Sequence, residues 1–129
     1  MSIFSRAWKI RDWLLLDGLG ATLTALSTGL LLATEVISSG LPPQTLWSMA
    51  AVAALFAGFD FWAVTNLPER SWPLAAIGVL NVCYCIGAIG VCTMHSQTLT
   101  VQGLVYFSLE SSVVIPLGLV EIMIASRKA

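Results

Sequence analysis

Charge is what this chain has least of. Charged side chains make up 10% of its 129 residues, against roughly 25% in a soluble domain. A water-soluble fold this small has a large surface for its volume, and so few charges would not cover it. Hydrophobic residues make up 57%, which suits a chain whose outer surface meets lipid. The sequence also lacks any basic patch interleaved with aromatics, and its net charge is −1. It therefore offers nothing to neutralise phosphates, and no nucleic-acid partner is expected. Histidine occurs once, as His95, so Ser/His or Cys/His nucleophilic chemistry is unsupported. Nothing implies a metal, a nucleotide or another cofactor.

Cysteine is scarce too. Cys83, Cys85 and Cys92 are an odd number within one apolar stretch, which is not a disulfide framework. Cys83 and Cys85 fall on nearly opposite sides of a helix and do not form a redox Cys-x-x-Cys motif. They read as small packing residues.

What the sequence has is four long apolar runs, predicted as helices over 13–37, 44–67, 72–93 and 100–125. Each exceeds the ~20 residues that cross a ~30 Å hydrocarbon core. Lipid cannot satisfy backbone N–H and C=O groups, so such runs must be helical. The connections are short: Ser38-Ser39-Gly40-Leu41-Pro42-Pro43, Pro68-Glu69-Arg70-Ser71-Trp72-Pro73 and His95-Ser96-Gln97-Thr98. Short connections make successive helices antiparallel neighbours. The expected fold is a single-domain, all-α, antiparallel four-helix transmembrane bundle over residues 1–129. The N-terminal run reads as a retained first helix, not a cleaved signal. It continues to about Ile37, carries Asp17 and has no A-x-A site.

The basic residues are Arg6, Lys9, Arg11, Arg70, Arg127 and Lys128. All lie at the termini or in the second connection. Positive residues stay on the cytoplasmic side, so both termini are expected in the cytoplasm, of a plasma membrane if the source is bacterial. Trp13, Trp47, Trp62 and Trp72 lie near span ends, where aromatic belts form.

Against this background, acids inside the spans stand out. Asp17, Asp60, Glu110 and Glu121 lie within the runs, and Glu35 sits at the outer end of the first. No Lys or Arg accompanies them. Each costs on the order of 2.5 kcal/mol or more at the centre of a span, so each is expected to face the bundle interior. Helical spacing agrees. Asp17, Gly20, Ala21, Thr24, Thr28 and Glu35 make one stripe. Asp60 shares another with Ala53 and Ala57, and Gly78, Asn81, Cys85, Ala88 and Cys92 make a third. Tyr84 neighbours Asn81, and Glu110 and Glu121 share a face. At ~1.5 Å per residue, Asp60 should lie about 6 Å on the cytoplasmic side of its span's centre. Asn81, Tyr84 and Glu110 should lie near mid-span, with Asp17 and Glu121 about 12–14 Å toward the cytoplasm. Pro116 lies between the two glutamates, removes a backbone bond to Ser112 and should bend the helix beside Glu110. Ser111 and Ser112 are positioned to satisfy freed carbonyls.

The bland reading is that these acids fix helix register by hydrogen bonding. Such bonds average only ~0.6 kcal/mol in a bilayer, a small return on four acids. The sharper reading is a cytoplasm-facing polar pocket. Carboxyls held in different surroundings can include both a proton donor and a proton acceptor at neutral pH. This suits an acid–base enzyme of isomerase, cyclase or epoxide-opening type acting on a small lipophilic substrate. Asp60 and Glu110 are the candidate catalytic residues, and Asp17, Asn81, Tyr84 and Glu121 the substrate-binding ones. Two alternatives stand beside it: a proton-coupled small transporter acting as a homo-oligomer, and a non-catalytic subunit of a membrane complex. The outer half offers only Thr24, Ser27 and Thr28 as interior polar groups, which weighs against a transmembrane route.

Overall fold

A computed structural model describes residues 9–128. Arg6, used in the charge count above, lies outside them. The chain forms four helices: α1 (Ile10–Leu26, continuing directly as a π-helical stretch Ser27–Ala33), α2 (Pro43–Asn66), α3 (Trp72–Met94) and α4 (Val101–Lys128). There is no strand among the described residues. All four helices are long and apolar enough to cross a membrane, and they suggest a multi-pass membrane protein.

The helix ends follow from local chemistry. The backbone N–H of Lys9 donates to Asp12 Oδ2 at 2.9 Å, which starts α1 at Ile10 rather than at Trp13. Pro43 occupies the first turn of α2, where its missing N–H is no loss. Thr100 caps α4: its Oγ1 accepts the Gly103 N–H at 2.9 Å. The first helix stops short of the expected Ile37. The helical turns widen from Ser27 onward, and the chain then reverses at Glu35, whose φ is 63°. The Ile37 N–H closes the end on the Leu31 carbonyl at 2.8 Å. Glu35 therefore projects from a turn into the exposed surface and leaves the stripe to which α-helical spacing assigns it.

Burial is inverted relative to a soluble protein. Leu55 is 72% exposed and Leu109 64%, whereas Asp60 and Glu121 are 0% exposed. Large apolar side chains are exposed on the outer face, and acids join an otherwise mostly apolar core.

Helices α1 and α2 pack as one hairpin, and α3 and α4 as another. The second crossing is made at Gly78 and Gly118, where a Cβ on either residue would meet the other's carbonyl oxygen at 2.7 or 2.8 Å. Only glycine permits that approach. At the end bearing the first and third connections, the connection end, the hairpins are tied together. The Thr100 N–H donates to the Ser39 carbonyl at 2.9 Å, and its hydroxyl donates to the Ser38 carbonyl at 2.6 Å. Gly40, with φ of 82°, lies so close to the Thr98 carbonyl that no side chain fits.

The interior is layered. An apolar cluster at the end bearing the termini joins Ile10, Leu14, Ala63, Leu74, Ile77 and Ala125. A second one at the connection end joins Leu32, Leu46, Met49, Ala88 and Phe107. The polar residues lie between the two.

Candidate functional site

Four helices contribute one polar group each to a buried layer: Asp17 from α1, Asp60 from α2, Asn81 from α3 and Glu121 from α4. Their exposures are 3%, 0%, 6% and 0%. Asn81 is the hub. Its Nδ2 donates to Asp17 Oδ1 at 2.6 Å and to Glu121 Oε1 at 3.2 Å. The Gly78–Gly118 crossing makes this possible, because Glu121 packs against Gly78 and Asn81 against Gly118. Asp60 neighbours Asp17, with Glu121 in electrostatic range. One side-chain amide thus serves two of the three carboxyls and leaves Asp60 without a donor. Asp17 Oδ2, both oxygens of Asp60 and Glu121 Oε2 have no hydrogen-bond partner. Among the described residues no group of three or more His, Cys, Asp or Glu is placed to hold a metal ion.

The four groups share a level more closely than residue counting from the sequence places them. From the observed helix midpoints, Asp17 lies about 7 Å, Asp60 about 8 Å, Glu121 about 10 Å and Asn81 about 3 Å toward the termini. The expected 12–14 Å for Asp17 came from a first span set too far along the chain. The Lys9–Asp12 start and the Glu35 turn shift its centre back. Likewise α4 extends beyond Ala125, which brings Glu121 nearer mid-helix.

Above this layer, toward the connections, lies a chamber of about 440 Å³. Its floor is Asp17 and Asn81. Its walls carry Tyr84, Phe56, Thr24, Ser27, Glu110 and Tyr106, and otherwise mostly aliphatic side chains. Glu110 Oε1 and the Tyr84 hydroxyl are buried with no hydrogen-bond partner. Tyr84 is held edge-on to Phe56, with ring centroids 6.1 Å apart. The Tyr106 hydroxyl lies 3.0 Å from Thr28 Oγ1 and links α4 to the π-helical stretch of α1. Leu23 of α1 and Leu109 and Val113 of α4 line the chamber and are also exposed on the outer face. The chamber therefore opens sideways between α1 and α4.

Of the residues singled out from the sequence, Asp17, Asn81, Tyr84 and Glu110 line the chamber. Asp60 and Glu121 do not. They lie in the polar layer beneath it, behind Asp17 and Asn81. Tyr106 escaped the sequence reading, although it precedes Glu110 by four residues and so shares its face. Gly118 escaped it too, since nothing along α4 alone marks where α3 crosses. The expected role of Ser112 is corrected. Its hydroxyl donates to the Ser108 carbonyl at 2.7 Å, one turn back, and not to the carbonyl freed by Pro116. Cys83, Cys85 and Cys92 are free thiols.

No protein-family model, no curated protein and no solved structure matches this chain.

Proposed function

We propose that this chain is an intramembrane protein with cytoplasmic termini whose chamber takes up a small lipophilic molecule from the bilayer and exchanges protons with it through Glu110. The carrying observation is that Glu110 and Tyr84 line the same cavity and that, within its wall, Glu110 Oε1 and the Tyr84 hydroxyl are buried without a partner. A buried polar atom without a partner costs roughly 1–3 kcal/mol. Two such atoms in one cavity wall are matched when a ligand with its own polar group enters and the side chains turn to meet it. The size suits a small ligand: binding pockets run from about 300 to 1,000 Å³ and are mostly apolar with a few placed polar groups. The sideways opening suits a substrate dissolved in lipid.

A carboxyl in such a chamber can deliver a proton to a double bond or an epoxide oxygen and recover one from a neighbouring carbon. The reaction class is therefore isomerisation, cyclisation or epoxide opening. Tyr84 orients the polar end of the substrate, and Asp17 and Asn81 form the floor against which it rests. Asp60 and Glu121 supply the surroundings of Asp17 rather than direct contact. Cytoplasmic termini follow from the basic residues at one end of the bundle.

The test is to purify the protein in mild detergent, release bound small molecules, and identify them by mass spectrometry. Val114→Trp fills the chamber from α4 and should abolish the bound compound. Glu110→Gln should retain binding and lose conversion of the compound. Equal recovery from the parent and the filled variant sinks the reading.

One observation favours a second reading, a proton-coupled transporter. The Thr28–Tyr106 pair extends the interior polar groups into the half near the connections, where Thr24, Ser27 and Thr28 alone offered a thin route. Proteoliposomes distinguish the two, since a transporter moves the compound unchanged and an enzyme changes it in place.

A further inference from the structure

The chamber reading leaves open which lipophilic molecules fit, and the charge around the cavity narrows the choice. Among the described residues, basic side chains lie at or beyond the helix ends: Lys9 just before α1, Arg11 in its first turn, Arg70 between α2 and α3, and Arg127 in the last turn of α4. None lines the chamber, nor does His95. Two carboxyls do line it, one near each end. From the helix midpoints, Asp17 lies about 7 Å toward the termini and Glu110 about 7 Å toward the first and third connections. Two more carboxyls, Asp60 and Glu121, lie immediately behind Asp17. An interior with acids and no bases favours positive charge wherever it is open to a ligand.

Asp17 is built to meet that charge. It is 3% exposed, and the Asn81 amide from another helix fixes its Oδ1 at 2.6 Å. Its Oδ2 is left without a partner. A carboxyl fixed in place in the chamber floor and paired with no base is a preorganised partner for an ammonium group. The ring of Phe56, edge-on to Tyr84, and the ring of Tyr106 line the same cavity. Aromatic faces add attraction for a cation and none for an anion.

Resting on the chamber reading, we propose that the molecule it holds is a lipophilic cation, an amine or quaternary ammonium with a compact hydrophobic body. Its charged head sits against Asp17 on the floor, and its apolar body fills the aliphatic wall of α4. Glu110 faces the other end of the ligand, where proton exchange takes place.

Three compounds of nearly one shape test this: benzyltrimethylammonium, its uncharged carbon analogue neopentylbenzene, and the anion benzylsulfonate. Their affinities for the purified protein are read from the concentration dependence of the thermal midpoint in one non-ionic detergent. The cation should bind at least tenfold more tightly than the neutral analogue, and the anion should not bind. The preference should vanish in Asp17→Asn combined with Glu110→Gln, and Val114→Trp should remove binding of both the cation and the neutral compound. Equal affinity for cation and neutral compound, or a preference that survives in the double variant, overturns the charge assignment. Binding of the neutral compound alone keeps the chamber and refutes the cation. Binding of none removes the chamber reading together with it.

Discussion

Replacing Asp60 by Asn should make this protein more stable. Asp60 is fully buried in α2, beside Asp17 and close to Glu121, and neither of its oxygens has a hydrogen-bond partner. Asn has nearly the same size, so no cavity opens and the α1–α2 packing is kept. The substitution does two things. It removes a group that is expensive to hold in a span, by roughly 2.5–3.5 kcal/mol when charged. It also supplies N–H donors beside Asp17 Oδ2 and Glu121 Oε2, which have none. Each new cross-helix bond returns only about 0.6 kcal/mol on average in a bilayer, so the larger part of the gain is the cost avoided. The expected net effect is a stabilisation of about 1–3 kcal/mol, the scale of one unpartnered buried group. The assay is reversible unfolding in mixed micelles of increasing SDS content, followed by helical circular dichroism. Asp60→Ala is the comparator: it removes the acid but leaves a void, and should lie near the parent. An Asp60→Asn protein clearly less stable than the parent would refute the reasoning. Asp60 would then make bonds that only a carboxyl can make, and the acids would be structural.

Asn81→Leu removes the only amide that serves Asp17 and Glu121. It should destabilise by about 1–3 kcal/mol in the same assay, with part of the loss recovered when Asp17→Asn is added, as a double-mutant cycle would read. Gly78→Leu drives a Cβ into the Gly118 carbonyl at 2.7 Å and should cost about 1–3 kcal/mol as overpacking; unchanged stability would show that the two helices do not cross there. Thr28→Val and Tyr106→Phe each remove one side of a 3.0 Å contact. Each should cost about 0.6 kcal/mol and no more than about 1.7, and the double variant should cost no more than either alone. For topology, a cysteine-free background with Ser96→Cys should react with a membrane-impermeant maleimide from outside intact cells, and one with Ser126→Cys only after permeabilisation. The opposite pattern overturns cytoplasmic termini.

The helices are legible in the sequence because length and hydropathy suffice to specify them once lipid is the solvent. So is the inward turn of the acids, since Asp17, Asp60 and Glu121 have nowhere else to go at that depth. The π-helical stretch is not legible. Nothing in Ser27–Ala33 announces a wider turn, and extrapolating 3.6 residues per turn through it placed Glu35 on the Asp17 face, which the structure does not. The division of the acids into a floor layer and a chamber wall was hidden for a different reason. Whether Glu110 or Asp60 meets a cavity depends on where helices cross, and crossings are a property of pairs of helices. Gly78 alone signals a close approach, and its partner Gly118 becomes identifiable only when both backbones are in place.

The apolar clusters at the two ends of the bundle have a bearing on how any ligand would be supplied. Each closes its end of the bundle with apolar side chains, and the chamber between them is flanked by Leu23 and Val113, which, if the bundle spans a bilayer, meet its hydrocarbon. The concentration the site samples is then that of the membrane. Each methylene favours the bilayer by about 0.8 kcal/mol, so a body of five accumulates there by nearly a thousandfold. A site with only modest intrinsic affinity, built from a few polar atoms, would be filled at aqueous concentrations far below its own dissociation constant.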